Sequence, residues 1–474
     1  MKKLLLCLYF LTVIFSGIAQ VAINTNGTAA NSSAMLDVQS TSKGVLLSRM
    51  TTAQRIAIAS PTSGLLVYDT DQQALYMYDG YGWMSFAFAN TETGAVLKPL
   101  IAMDVLPGDV FGYDVDIDGG YAVVSAPWAA VNGINDRGAA YVFVKENGIW
   151  KQQAKLIASD GVYADYFGYN VAISGNHIVV SGSGNRKFAY VFERNGSNWT
   201  QQTNLLPFDI GFANKYGSSV AIDGTTIVVG AEEGTTSNVS KGSAYVFELT
   251  NNVWTQVQKL IASDGVVNDF FGCEVAIQNG TVAVGAKYAD YSGSPDVGSI
   301  YVFVKNGGSY AQQAKLLFVG YHADDKLGSV IRIDGNILVA GAPEGFVSPI
   351  NSGGYVIVFK RTGTTWAAVR QITSPATGQS TNDMRFGESL SLHNGNLFIG
   401  SYGEMVSDIT LAGAVYQYVL NNNDFFLKKR ITDPNPGFYN YFGKSLATDG
   451  ADYIISSDRL YVDPMGKVLF GKIY

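Results

Sequence analysis

The chain has 474 residues, with 32 Lys and Arg against 39 Asp and Glu, and a formal charge of -7. This acidic balance, with no basic run, argues against a nucleic-acid partner, and after residue 20 no apolar stretch is long enough to span a bilayer. Glycine accounts for 53 residues and Tyr with Phe for another 53, a mix of turn formers and strand-favouring rings that predicts many short strands.

Lys2 and Lys3 precede an apolar run from Leu4 to Phe15, and Ser16, Gly17 and Ala19 supply small residues after it. This is the pattern of a secretory signal peptide over residues 1–20, cleaved near Ala19 or Gln20. It predicts export to the periplasm, the outer surface or the medium. Cys7 leaves with the leader, and no later cysteine stands at a lipoprotein processing position. The mature chain then keeps Cys273 as its single thiol, which closes no internal disulfide and reads as a small buried strand residue.

Residues 21–93 form a first segment richer in Ser, Thr and Ala. Met35–Val38 and Gly44–Leu47 read as short strands, and Thr51 with Gln54 reads as a capping box opening a helix through Ala59. Leu65–Thr70 and Ala74–Tyr78 predict a hairpin, Tyr81-Gly82-Trp83 closes the segment, and Ala87–Thr93 is the expected linker. The segment resembles an N-terminal module of secreted and surface proteins of Gram-negative bacteria, some of which look like phage tail-fibre parts. Its core is small for about 70 residues, so self-association into a homo-oligomer is one expected way to complete it.

From residue 94 to 474 the chain repeats. Leu156-Ile157-Ala158-Ser159-Asp160-Gly161 returns as Leu260-Ile261-Ala262-Ser263-Asp264-Gly265, and a Phe-Gly or near variant follows each time. Its glycines are Gly112, Gly168, Gly217, Gly272, Gly328, Gly387 and Gly443, which makes seven units. In the third, Ser219–Ile222 and Thr226–Ala231 are strands joined by the tight turn Asp223-Gly224. Ala244–Glu248 and Trp254–Ile261 complete a four-stranded antiparallel unit, which is one propeller blade. The seventh unit stops after a third strand at Lys467–Tyr474, whereas residues 96–104 match a fourth strand ahead of the first unit. The expected fold is therefore all-β: a seven-bladed β-propeller closed by an N-terminal strand, which leaves no open sheet edge.

The strings Asp165-Tyr166-Phe167-Gly168-Tyr169-Asn170-Val171-Ala172-Ile173 and Gly242-Ser243-Ala244-Tyr245-Val246-Phe247 resemble the bacterial FG-GAP family, related to integrin alpha-subunit propellers. The rigid ring and its varied loops lead to the expectation of a binding or adhesion role. The family's calcium loop, with alternating aspartates, does not carry over, because the first two strands are joined here by two-residue turns. Asp114, Asp116 and Asp118 imitate the spacing, but alternation puts them on one strand face rather than around an ion.

Residues recurring in every unit are read as structural, and residues unique to one unit as candidates for function. Asp109, Asp165, Asp269 and Asp325, with Asn214 and Asn440, fall in the first class as turn acceptors, as do Asp104, Asp160, Asp209 and Asp264. A ring of weak cation sites, pairing Asp160 with Asp165 and Asp264 with Asp269, is the alternative, with calcium as its ion. Tyr141, Tyr190, Tyr245 and Tyr301, with Trp150, Trp199, Trp254 and Trp366, read as packing. The variable loops collect on one face. They offer Trp128 and Arg137 in the first unit, Glu232 and Glu233 in the third, Tyr288 and Tyr291 in the fourth, Phe346 in the fifth and Tyr402 in the sixth. These are the candidate contacts to a carbohydrate or protein ligand.

Signals for catalysis are sparse. His177, His322 and His393 are too dispersed for a multi-His metal centre. Glu232, Glu233, Glu344 and Glu404 are the carboxylates a polysaccharide hydrolase or lyase would use, provided two stand about 5–9.5 Å apart. The sequence thus reads foremost as a non-catalytic binding scaffold without a cofactor. A carbohydrate-cleaving enzyme and a structural subunit of a surface assembly are the alternatives.

Overall fold

The computed structural model describes residues 21–24, 27–30, 33–71, 74–78, 83–86, 97–100, 102–184, 186, 188–209, 215–232, 235–236, 239–347, 353–376, 383–421, 424–457 and 466–473. The leader, the linker, Tyr81, Gly82, Asn214 and Glu233 lie outside them. The chain divides into two compact units, residues 1–89 and 90–474. No helix among the described residues is long and apolar enough to cross a membrane.

In the first unit, Val21–Ile23 pairs in parallel with Leu36–Val38. Arg49–Met50, Leu66–Asp69, Ala74–Tyr78 and Trp83–Phe86 form a separate four-stranded sheet in chain order. The expected hairpin is its centre. The capping box is present: Thr51 Oγ1 accepts from the Gln54 N–H at 3.2 Å, and Gln54 Oε1 accepts from the Thr51 N–H at 2.9 Å. The helix runs over Thr52–Ile56 and ends three residues before Ala59. Arg55 anchors it through a buried ion pair to Asp69 at 2.8 Å and stacks on Tyr76 at 3.8 Å. Gly44–Leu47 is not a strand. Val45 and Leu46 stay exposed there without a pairing partner, and the ladder begins at Arg49 instead.

The second unit is all-β, with many four-stranded sheets in the manner of a propeller. Among the described residues there are seven such sheets, here numbered by the order of their Phe-Gly motifs. Sheet one comprises Val115–Asp118, Tyr121–Ala126, Ala139–Glu146 and Ile149–Leu156. The seventh comprises Phe442–Thr448, Asp452–Ser457 and Lys467–Lys472, with Lys98–Leu100 alongside the last in the register Val468 to Leu100.

Each sheet meets its neighbour through the same devices. The motif glycine adopts a left-handed backbone, with φ +91 at Gly112, +97 at Gly168 and +96 at Gly272. The aromatic or Leu before it packs inside, as with Phe111, Phe167, Tyr216, Phe271, Leu327, Phe386 and Phe442. Sheets one to six carry a bulge between their third and fourth strands one step before an aromatic, as at Val246/Phe247. Bulges add local twist. Seven apolar clusters fill the spaces between consecutive sheets. One of them combines Leu100, Ile454, Val468 and Phe470 with Val115, Val124 and Tyr141, so it spans sheets seven and one.

Tyr141, Tyr190, Tyr245 and Tyr301 are fully buried, as the packing reading expects. Trp150 and Trp366 are buried too, whereas Trp199 and Trp254 are half-buried. Cys273 is buried, and burial pushes its thiol up to about 12, leaving it unreactive at neutral pH.

Candidate functional site

Two surfaces of the second unit concentrate polar and aromatic side chains. One is a cavity of about 330 Å3 lined by first-strand residues of all seven sheets: 114–118, 170–174, 219–223, 274–278, 332–333, 391–393 and 446–448. Its walls are stitched by side chains that accept backbone N–H groups from the next sheet. Asp114, Asp116 and Asp118 accept from Val171 at 2.8 Å, Ile173 at 2.8 Å and Gly175 at 2.6 Å. All three do share one face, and that face is the seam to sheet two. The turn residues repeat the stitch: Ser174 accepts from Gly224, Asp223 from Asn279, Gln278 from Gly335 and Asp334 from Gly395. Ser391 accepts from Thr448, and Ser445 accepts from Val115 while donating to Asp114.

Burial raises the Asp114 carboxyl to about 6 and the Asp116 carboxyl to about 7, since both face the cavity from within the protein. A raised folded value means the native chain holds these protons more tightly than the unfolded one. The resulting stability is full below 3.8, the unfolded value, and is lost as pH climbs through about 6 and 7. Asp116→Asn keeps an acceptor for Ile173 and removes the charge. Its stability should match the parent at pH 4 and exceed it at pH 8 by on the order of 1 kcal/mol, since solvent partly reaches the group, and the gain is read as a higher melting temperature. Equal melting of the two proteins at pH 8 contradicts this.

The second surface carries the variable loops. Residues 128–138, 288–298 and 402–413 share one fold, each with a bridge between its own residues: Val131 to Ile134, Tyr291 to Ser294 and Val406 to Ile409. Each also clamps the next sheet, as when Asp136 and Arg137 carbonyls accept from the Tyr166 and Phe167 N–H groups. These loops are therefore part of the frame as well as candidates for contact.

Several sequence-level candidates change meaning here. Arg137 is 7% exposed and donates from Nη2 to the Ala158 carbonyl at 2.8 Å, so it braces the loop from inside rather than facing a ligand. Glu232 is held between Lys215 at 3.0 Å and Lys287 at 3.1 Å. Glu344 lies between Lys326 and Arg385. Burial alone would raise the Glu344 carboxyl, but these two cations outweigh it and hold it below the ordinary value. Glu404 is 0% exposed and bonded to Tyr416 and Arg430. Burial raises its carboxyl, yet no substrate reaches it. A hydrolase needs an accessible acid with a raised value; Glu344 is lowered, and Glu404 is raised but buried.

The aspartate pairs are also engaged. Asp160 is held by Arg186 and Tyr190, and Arg186 also reaches Asp165 at 2.6 Å. Asp264 meets Lys315 at 2.8 Å and the Tyr301 hydroxyl at 2.8 Å. Asp165 and Asp269 accept backbone N–H groups three residues earlier, from Val162 and Val266. Such partners satisfy the oxygens a cation would need. Among the described residues no group of three or more His, Cys, Asp or Glu is arranged to hold a metal ion.

The rings on the loop face form three stations. Tyr288 sits against Phe270, with Lys326 at 5.2 Å over its ring. Tyr402 meets Tyr441, with Lys444 at 4.4 Å over its ring. Trp128 touches Tyr113 at 5.1 Å and Tyr166 at 5.6 Å, and Tyr113 touches Tyr169 at 5.0 Å. Tyr291 is exposed and packs on Tyr321, and Phe346 is exposed beside His322. The sequence reading passed over Tyr113 and Tyr169. The signal that finds them is the residue after each motif glycine: Tyr113 and Tyr169 in units one and two, then Ser218, Cys273, Ser329, Glu388 and Lys444.

A family model described as an FG-GAP repeat matches residues 97–143, 150–194, 199–247 and 254–303. A second, described as a phage tail-like trimerisation region, matches residues 22–96. No curated protein matches the chain. Among solved structures, the crystal structure of Saccharomyces cerevisiae Sqt1 is similar at 10% identity, covering 75% of this chain and 81% of that one, with a TM-score of 0.43. That likeness is too loose to argue from.

Proposed function

The chain belongs to the FG-GAP repeat β-propeller family, and on that premise we propose that it is a non-catalytic binding scaffold, exported by its leader to the cell surface or beyond. Its seven sheets form a ring, closed where Lys98–Leu100 pairs beside the last strand. The shared cavity wall and the cluster spanning sheets seven and one support this ring. The observation that carries the binding role is a contrast within the ring. Seams and turns repeat from sheet to sheet, whereas the rings and charges of the loop face do not, which is how a site is grafted onto a rigid frame. The ligand is a glycan or a protein. Arrays of both, probed with the full chain and with loop-face variants, test the role. Binding lost on loop substitution supports it, and no binding on either array overturns it.

A second reading concerns the first unit, and the trimerisation-region match favours it. Val21, Ile23, Leu36 and Val38 are all exposed on a parallel pair of three-residue strands, a pairing too small to persist alone. Copies of the chain would cover these side chains in a homo-oligomer. Light scattering should give the parent a multiple of the chain mass and an Ile23→Asp, Leu36→Asp variant a single-chain mass. A monomeric parent contradicts it.

A further inference from the structure

We infer that the ring station Trp128, Tyr113, Tyr166 and Tyr169, at the junction of sheets one and two, is a carbohydrate subsite for a neutral glycan. The inference deepens the scaffold reading and rests on it.

Four observations carry it. The four rings are contiguous, at centroid separations of 5.0–5.6 Å, and each is half-exposed rather than buried. The station does not repeat, so packing common to the units does not require it. Among the described residues neither Lys nor Arg lies over the rings of Trp128, Tyr166 or Tyr169, whereas cations cover Tyr288 and Tyr402. Among the described residues the Trp128 indole N–H and the Tyr166 and Tyr169 hydroxyls make no hydrogen bond within the protein, which leaves three donors beside partly exposed apolar faces.

A sugar ring presents the matching chemistry: an apolar C–H face for the rings and hydroxyls for those donors. Size argues against a protein here. A stable protein interface covers roughly 800 Å2 on each partner. A patch that large extends beyond the station onto charged side chains of the loop face, such as the pairs Lys215–Glu232–Lys287 and Lys444–Glu388, whose desolvation is costly. A glycan laid on four rings leaves those pairs in water.

The test is titration calorimetry of the full chain with neutral hexasaccharides of glucose, xylose, mannose and N-acetylglucosamine, with polygalacturonate as an acidic comparison. We expect at least one neutral hexasaccharide to bind, at least tenfold more weakly to Trp128→Ala and to Tyr169→Ala, and unchanged to Ile149→Ala, an exposed residue on the fourth strand of sheet one. Melting curves check that the variants stay folded, and two substitutions on separate loops guard against one misfolding. Two results overturn the subsite: no neutral saccharide binds, or binding survives both substitutions. If polygalacturonate or a protein binds instead and depends on other loop residues, the subsite falls while the scaffold role stands. If no array or saccharide binds, both fall.

Discussion

Gly272→Ala should destabilise the second unit by about 3–5 kcal/mol, far more than an ordinary glycine replacement. Gly272 has φ +96, where an L side chain is strained in any surroundings. An added Cβ would also stand 2.2 Å from the Ser243 carbonyl oxygen and 3.0 Å from the Ala231 nitrogen. Both are strand backbone and cannot swing aside. Gly224 makes the control, since it has φ +56 but open space around the would-be Cβ. Gly224→Ala should cost only about 1 kcal/mol. A seven-sheet unit need not unfold in one step, so the comparison is best read as denaturation midpoints of the two variants beside the parent. Equal midpoints for the two variants would mean that the close approach at the Phe-Gly seam is not what selects glycine.

The second large effect belongs to Leu100. It is 5% exposed and packs among Val468, Phe470 and Val115, so a three-residue strand supplies part of the core between sheets seven and one. Leu100→Ala should cost about 2–4 kcal/mol. Leu100→Asp should cost more, because it places an unpaired charge in that core, and it should promote aggregation through freed strand edges. Lys98 on the same strand is exposed, and Lys98→Ala should stay within about 0.5 kcal/mol of the parent. Urea unfolding with light scattering reads both effects. Comparable stability for Leu100→Asp and Lys98→Ala would detach this strand from the fold.

The frame was legible in the sequence wherever one physical requirement recurs. A left-handed glycine behind a buried ring, and a short polar turn between two strands, appear in unit after unit, and repetition separates them from chance. Thr51 and Gln54 were legible for the same kind of reason, since a capping box is local. What escaped was contact at a distance. Alternation put Asp114, Asp116 and Asp118 on one face, but that the face meets Val171, Ile173 and Gly175 depends on a strand 57 residues later. Glu232 looked like a free loop carboxylate until Lys287, 55 residues on, closed over it. Arg137 sat in a variable loop, yet its side chain turns inward to the Ala158 carbonyl, a direction that no local pattern encodes. Tyr169 was concealed by the opposite error, because it follows a repeated motif and was read as part of it, and Tyr113 holds the matching place in unit one.

The proposed ring closure would align every loop on one face, and hydrogen exchange at Lys467–Lys472 tests it most directly. Alternate amides of this strand point toward Lys98–Leu100 and the others toward Asp452–Ser457. The account predicts that the amides of Val468, Leu469 and Phe470 are all protected to the level of Tyr245, Val246 and Phe247, which lie inside sheet three. Fast exchange at every second residue, as on an unpaired sheet edge, would contradict it.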